Sequence, residues 1–96
     1  MHHIRAKIYG KVQGVSFRIS AKEKAENFGV KGFILNEPDG TVYIEAEGEK
    51  ENLENFLNWC RKGPEKAKVE NFEYQEHPEL KNFKDFRIVY EFPKFR

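Results

Sequence analysis

The stretch Gly10–Arg18 combines two glycines, an aromatic residue and an arginine, residue types that together can bind an anion. Glycines adopt positive φ and carry no side chain, so a turn built on Gly10 and Gly14 can direct several backbone N–H groups into one concavity. If a helix begins there, its unpaired N–H groups and its positive dipole end add to the attraction. Arg18 supplies a forked, permanently charged donor for phosphate or carboxylate. The stretch therefore predicts an anion-binding site.

The charge balance of the chain indicates that anion recognition is local. The 96 residues include 17 Lys and Arg against 16 Asp and Glu, a formal net charge of +1. So small a charge creates no long-range field that would attract nucleic acid or an anionic membrane. The length fits a single domain over residues 1–96, and its binding specificity must come from a few residues.

Cysteine content and hydropathy predict the compartment. Cys60 is the only cysteine, so no intramolecular disulfide can form. No apolar run approaches a membrane span, and the N-terminus lacks the apolar core of a signal peptide. We expect a cytoplasmic protein. A charged fraction of 34% is compatible with a thermophilic source.

Three strands are predicted in the first half of the chain, and a turn joins two of them. Ile4–Tyr9 and Thr41–Glu47 alternate apolar and polar side chains, the pattern of half-buried strands. The mostly apolar Val30–Glu37 precedes Pro38-Asp39-Gly40, in which Pro restricts φ and Gly accepts a left-handed conformation. Val30–Glu37 and Thr41–Glu47 are therefore predicted to form a β-hairpin.

Two amphipathic segments predict helices. In the first, apolar residues recur at helical spacing up to Phe28, and Gly29 suits the C-terminal cap. The second spans Glu49–Lys62, with acidic residues early and basic residues late, and Gly63-Pro64 ends it.

The start of the first helix is ambiguous. Ser20–Glu23 is a capping box, which predicts a helix beginning after Ser20. A start near Ser16 or Phe17 would instead place Arg18 in the first turn, beside the glycine-rich loop. Local signals favour neither.

The remaining segments complete the fold prediction. Ala67–Gln75 has an imperfect strand period that a bulge would explain, and Phe86–Tyr90 is a further short strand. The order predicts a ferredoxin-like βαββαβ α+β sandwich, with an antiparallel sheet, two helices on one face and a short extra C-terminal strand. We expect Glu91–Arg96 to fray or to extend that strand, with Phe92 and Phe95 favouring some docking.

Other reactive side chains have simpler interpretations. His2 and His3 stand near the terminus and His77 precedes a proline, so we expect all three to be solvated and to bind no metal. Cys60 lies on the apolar stripe of the second helix and is predicted to be a small buried hydrophobe. The glycine-rich stretch lacks the Gly-Lys-Ser/Thr ending of a nucleotide P-loop, which excludes ATP or GTP binding through that motif.

The order of the motifs resembles one family. Gly10-Lys11-Val12-Gln13-Gly14-Val15-Ser16-Phe17-Arg18 is similar at every defined position to the acylphosphatase signature, glycine-x-valine-glutamine-glycine-valine-x-aromatic-arginine. Later segments resemble further family blocks in the family's order: Gly32-Phe33-Ile34-Leu35-Asn36 with Asp39-Gly40-Thr41-Val42, then Gly63-Pro64 with Ala67 and Val69, then Phe86-Arg87-Ile88. Ser16 departs from the glycine or bulky residue that is frequent at its position, and no known role depends on it.

The resemblance implies a reaction and a site. Acylphosphatases hydrolyse a carboxyl–phosphate anhydride to a carboxylate and inorganic phosphate without metal or cofactor. By the motif match, Arg18 and Asn36 would be the catalytic residues, and Asn36 would orient the attacking water. The phosphate-binding loop would comprise Gln13, Gly14, Val15, Ser16, Phe17 and Arg18. The substrate would be a small acyl phosphate, handled by a monomer with neither nucleic acid nor membrane as partner.

Two other functions are compatible with the same predicted fold. Ferredoxin-like sheets include RNA-binding modules that stack bases on strand aromatics, and Tyr9, Phe33 and Tyr43 could lie on such a face. The chain lacks the aromatic-rich RNA-binding strand motif and a basic excess. A regulatory or carbamoyl-phosphate-handling domain of a larger protein is the other alternative, and a length of 96 residues favours a free-standing enzyme.

Overall fold

The strands and helices form the predicted two-layer α+β sandwich. The computed structural model describes residues 1–94. In chain order, the elements are β1 (His2–Lys11), α1 (Phe17–Phe28), β2 (Lys31–Asn36), β3 (Val42–Gly48), α2 (Lys50–Lys62), β4 (Lys68–His77) and β5 (Phe86–Ile88). The ferredoxin-like βαββαβ order with a short extra strand is thus confirmed.

The sheet is mixed rather than wholly antiparallel, because the extra strand runs parallel to its neighbour. The strand order is β4-β1-β3-β2-β5, and the pairs among β1 to β4 are antiparallel. β5 pairs parallel to β2, with Ile34 opposite Ile88. Between β1 and β4 the register shifts at Tyr9/Gly10 and leaves Glu70 as an extra residue, so the irregular period of β4 reflects a bulge.

The core lies between one face of the sheet and the two helices. Ala21 and Ala25 of α1 and Phe56 and Cys60 of α2 are fully buried against it, which confirms the prediction for Cys60. The ring of Phe56 meets that of Phe86 at a centroid distance of 5.6 Å and anchors β5 to the helical layer.

The first helix takes the earlier of its two predicted starts. α1 begins at Phe17, after Ser16 in a left-handed conformation with φ 63°. Phe17 is 1% exposed, and its ring lies 5.5 Å from that of Trp59 in α2. Burial of this large side chain outweighs the local capping signal of Ser20–Glu23, which is worth only about 1 kcal/mol. At the other end, Gly29 caps the helix as predicted.

The face of the sheet opposite the helices carries a buried polar cluster, so the prediction that His3 is solvated is wrong. His3 is 0% exposed, with its Nε2 2.8 Å from Glu45 Oε1 and its Nδ1 2.8 Å from the carbonyl oxygen of Glu79. Glu47 accepts hydrogen bonds from the backbone N–H groups of Lys81 and Phe83. These contacts hold the segment after β4 against the sheet.

The C-terminal tail continues across the same face. Phe92 packs edge-on against Tyr43 and Phe33, with centroid distances of 5.0 and 6.5 Å. The predicted docking is thus seen for Phe92, and Phe95 lies outside the described residues. Docking by an aromatic side chain, without strand pairing in residues 91–94, orders this part of the tail.

Candidate active site

The loop between β1 and α1 has alternating backbone handedness. Gly14 and Ser16 have φ of 72° and 63°, and Val15 between them has negative φ. Such alternation turns successive N–H groups toward one side and forms an anion-binding concavity. A Cβ on Gly14 would meet no atom within 4 Å, so positive φ rather than crowding makes glycine the favoured residue there.

The first turn of α1 leaves its backbone donors available. Ser16 makes no side-chain capping bond, and the first turn holds no acidic residue. The N–H groups of residues 17–19 have no partner within the helix, because an α-helix begins its internal bonding later. Together with the positive dipole end, they extend the concavity of the loop toward an anion.

Arg18 projects from this first turn, partly buried. Its guanidinium lies over the ring of Tyr90, with Cζ 5.5 Å from the ring centroid. Within residues 1–94 it makes no ion pair with a carboxylate. The forked donor of Arg18 is therefore uncommitted and can bind an external anion.

Asn36 ends β2 with an unsatisfied acceptor. Its Oδ1 is buried and has no hydrogen-bond partner among the described residues. A buried amide oxygen without a partner costs about 1–3 kcal/mol, so this acceptor is available to a donor that the described residues do not supply. The hydrogen-bonded pairing of β2 with β3, Asn36 opposite Val42, holds the residue in place.

Arg18 and Asn36 line one cavity of about 330 Å³. The loop residues Gly14, Ser16 and Phe17 line it as well. Four further lining residues were not among the predicted site residues: Val12, Ile19, Ile88 and Tyr90. The last two come from β5 and the residues after it, whose parallel placement beside β2 has no local sequence signal.

Two residues of the predicted loop do not line the cavity. Val15 is 7% exposed and its side chain belongs to the hydrophobic core. Gln13 donates from Nε2 to the carbonyl oxygens of Glu37, at 2.8 Å, and Thr41, at 2.9 Å. Its side chain thus joins the loop to the β2–β3 turn.

The sequence model of the acylphosphatase family matches residues 4–88. The chain belongs to the acylphosphatase family. An acylphosphatase of Marinobacter nauticus is 45% identical to it over 83 residues, which cover 86% of this chain and 90% of the relative. The crystal structure of an acylphosphatase from Bacillus subtilis superposes with a TM-score of 0.91 at 33% identity and covers 94% of this chain and all of that one. The predicted identity as an acylphosphatase, a hydrolase, is confirmed.

A likeness to part of a larger protein is also found. Full-length HypF in a phosphate- and nucleotide-bound form has a TM-score of 0.85 and 34% identity over 92% of this chain, and the match spans 12% of HypF. The acylphosphatase fold therefore also occurs within longer chains. In residues 1–94, no helix has the length and apolar character needed to span a membrane.

A larger cavity, of about 530 Å³, lies on the face of the sheet opposite the helices of this acylphosphatase. Its lining includes Arg5, Lys7 and Glu73. Lys7 Nζ already lies 3.2 Å from Asp39 Oδ2, and Arg5 Nε lies 4.0 Å from Glu45 Oε2. Because carboxylates face these cations and no helix N-terminus contributes, the smaller cavity at Arg18 is the better anion site.

Proposed function

We propose that this acylphosphatase hydrolyses small acyl phosphates without metal or cofactor, binding the phosphoryl group through Arg18 and loop amides and the attacking water through Asn36. The observation that carries the proposal is that the uncommitted Arg18, residues of the glycine-rich loop and Asn36, whose buried Oδ1 has no hydrogen-bond partner among the described residues, line one cavity. Phosphoryl transfer needs little more than positioning and stabilisation of charge on the equatorial oxygens.

The loop amides and Arg18 bind the phosphoryl group. The N–H groups from Val15 to Arg18 would donate to the phosphoryl oxygens, and the guanidinium would add two parallel hydrogen bonds. Among the described residues lining the cavity, Arg18 is the only charged side chain, so no carboxylate there repels the substrate.

Asn36 orients the water. Its Oδ1 would accept a hydrogen bond from the nucleophile, whose oxygen forms a bond to phosphorus while the bond from phosphorus to the carboxylate oxygen breaks. The carboxylate leaves with the electron pair. The water's proton passes to a phosphoryl oxygen of the substrate, because a neutral amide is too weak a base to take it. A carboxylate is a weakly basic leaving group and needs no general acid.

Gln13 and Val15 support the loop in this proposal rather than contacting substrate through their side chains. Their backbone groups remain part of the phosphate-binding loop. The side chain of Val15 fixes the loop to the core, and that of Gln13 fixes it to the strand end that carries Asn36.

Packing on the sheet supports a small molecule rather than nucleic acid as the partner. Phe33 is 2% exposed and contacts Phe83 and Phe92, and Tyr43 also contacts Phe92. Base stacking needs exposed ring faces. With the small net charge, these contacts favour a soluble acyl phosphate over nucleic acid, and we propose that the enzyme acts as a cytoplasmic monomer.

The test compares Arg18→Ala and Asn36→Ala in a chelator-treated hydrolysis assay. Both variants should lose kcat/KM by a factor on the order of 10³, the cost of a missing transition-state donor. Arg18→Ala should also lose inhibition by inorganic phosphate, whereas Asn36→Ala should retain it, because only Arg18 contacts the ground-state anion. The matched control is Arg61→Ala, since Arg61 also stacks on an aromatic ring, that of Phe72, away from the cavity.

Either of two results would contradict the proposal. Equal loss of phosphate inhibition in both variants would refute the separate roles of Arg18 and Asn36. Activity that appears only with added magnesium would refute the metal-free reaction.

A further inference from the structure

One ionisable side chain that the proposed reaction does not use is fully buried. His3 is 0% exposed, although it lies on the face of the sheet opposite the helices. In the strand register it stands between Glu47 of β3 and His77 of β4. The connecting segment, residues 78–85 between β4 and β5, contacts His3 through the carbonyl oxygen of Glu79 and the ring of Phe83. This segment, rather than a helix, covers His3.

Both ring nitrogens of His3 face hydrogen-bond acceptors. Nε2 lies 2.8 Å from Glu45 Oε1. Nδ1 lies 2.8 Å from the carbonyl oxygen of Glu79 and 3.3 Å from Glu47 Oε2. A neutral imidazole carries one N–H, whereas the imidazolium carries two. Because two donors are needed, the contacts select the imidazolium.

The neighbouring carboxylates favour the same protonation state. Glu45 and Glu47 are 6% and 1% exposed, and buried carboxylates need a positive partner. Since carboxylic acids are stronger acids than imidazolium ions, the proton between His3 and Glu45 belongs to the ring. The other oxygen of Glu45 accepts a hydrogen bond of 2.8 Å from the hydroxyl of Tyr43. The imidazolium therefore compensates a buried negative charge.

Further ionisable groups surround this cluster on three strands. Arg5 of β1 places Nε 4.0 Å from Glu45 Oε2, beyond hydrogen-bond distance. The ring of His77 on β4 lies 5.2 Å from that of His3, and Lys31 of β2 is opposite Glu47 in the register. His3 is thus the cation in direct contact with Glu45.

The same cluster fastens the connecting segment to the sheet. The backbone N–H groups of Lys81 and Phe83 donate to the carboxylate of Glu47, and His3 donates to the carbonyl oxygen of Glu79. The ring of Phe83 packs edge-on against Phe33, at a centroid distance of 5.8 Å. The closed segment therefore helps to cover an aromatic side chain of β2.

We propose that His3 is a proton-dependent latch that holds residues 78–85 on the sheet. When the pH rises until the ring loses one proton, the remaining N–H stays on Glu45, because a hydrogen bond to a carboxylate is stronger than one to a neutral carbonyl. The bond to Glu79 then breaks, and the buried carboxylates lose their counter-charge. The connecting segment opens and uncovers Phe33. The latch contributes no residue to the cavity at Arg18 and does not depend on the proposed function.

NMR of the wild-type protein across a pH series tests the latch. The ring-nitrogen chemical shifts of His3 should show two protonated nitrogens at the acid end and one after titration. Over the same range, the exchange protection factors of the Lys81 and Phe83 amides should fall about 10- to 100-fold, the value of one hydrogen bond from a charged donor. The Val89 amide, which donates to Ile34 and reports on β5, should keep its protection.

Two variants separate the latch from other titrations. His3→Gln is uncharged at every pH, so Lys81 and Phe83 should exchange faster than in wild type at the acid end and show no step with pH. The matched control is His2→Gln, since His2 lies on the same strand and its ring contacts Glu76. This variant should keep the wild-type step.

Several results would overturn the latch. A singly protonated His3 ring at the acid end would do so, as would constant protection of Lys81 and Phe83 while His3 titrates, or a step that persists in His3→Gln. A His3 that keeps both protons until Val89 loses protection together with Lys81 and Phe83 would show global unfolding instead of local opening. The wild-type measurements decide the outcome if His3→Gln does not fold.

Discussion

Gln13 Nε2 donates a hydrogen bond of 2.8 Å to the carbonyl oxygen of Glu37, the residue that directly follows Asn36. A second bond from the same nitrogen reaches the carbonyl oxygen of Thr41 across the turn. The two bonds join the loop that precedes Arg18 to the strand end that carries Asn36. The side-chain amide of Gln13 therefore adds a direct link between the proposed anion-binding and water-binding groups to the one that the pairing of β1 and β2 with β3 provides.

Replacing Gln13 should damage catalysis more than substrate binding. In Gln13→Ala the carbonyl oxygens of Glu37 and Thr41 each lose one of two donors and keep a backbone N–H donor, so the free energy of unfolding should fall by about 1 kcal/mol. Because Asn36 would shift relative to the loop, kcat should fall by about 10- to 100-fold with a smaller change in KM. Urea unfolding and steady-state kinetics measure both effects. Gln13→Glu, whose carboxylate would face the same two carbonyl oxygens, should be worse, and a fully active Gln13→Glu enzyme would refute the role.

Gly32 in β2 should tolerate no side chain. Its φ is 148°, and an added Cβ would lie 1.9 Å from the carbonyl oxygen of Glu45 on β3. Because backbone would have to move, Gly32→Ala should lower the free energy of unfolding by at least about 2 kcal/mol. The control is Gly48→Ala in β3, where the added Cβ would make ordinary contacts at 3.5 Å or more, and the change should stay within about 1 kcal/mol. Equal stabilities of the two variants would contradict this explanation.

The thiol of Cys60 should be unreactive in the folded protein. Cys60 is 0% exposed, and burial raises the pKa of its thiol far above the ordinary value. Since the thiolate is the reactive form, a thiol-specific reagent at pH 8 should label the native enzyme on the order of 10³-fold more slowly than the enzyme in guanidinium chloride. Activity should survive treatment of the native protein. Rapid labelling without loss of structure would show that α2 opens locally.

Asp39 should make stability depend on pH in the acid range. Hydrogen bonds from the Thr41 hydroxyl, at 2.6 Å, and the Thr41 N–H, at 3.0 Å, lower the pKa of the Asp39 carboxyl from 3.8 to about 2. A group with a lowered pKa in the folded state stabilises the protein above its unfolded pKa and loses that effect as the pH falls through the folded pKa. Asp39→Ala should therefore be less stable than wild type at pH 7, and the gap should close between about pH 4 and pH 2.

Thermal unfolding at a series of pH values measures this gap. Thr41→Val removes the hydroxyl donor to Asp39 and keeps the backbone N–H donor. Its stability should therefore depend on pH over the same acid range, but less steeply than the stability of wild type. A gap between Asp39→Ala and wild type that stays constant from pH 7 to pH 2 would refute the role of the Asp39 carboxylate.

The local sequence determined the elements and the identity of the residues that could do chemistry. Hydrophobic periodicity placed α2 within one residue of its observed start, and Pro38-Asp39-Gly40 located the hairpin turn. The glycines and Arg18 predicted an anion-binding loop, and the match to a family motif added Asn36. These features depend on φ preferences and on side-chain spacing along one element, which neighbouring residues encode.

Tertiary structure decided what depends on distant partners. α1 begins at Phe17 because that ring is buried against Trp59, far along the chain. His3 is buried because Glu45 and the segment after β4 accept its hydrogen bonds. β5 runs parallel to β2 and brings Tyr90 to Arg18, a placement with no local signal. Burial energy and strand pairing act between residues that meet only in the folded chain, so the part of the cavity lining that Ile88 and Tyr90 supply became visible only in three dimensions.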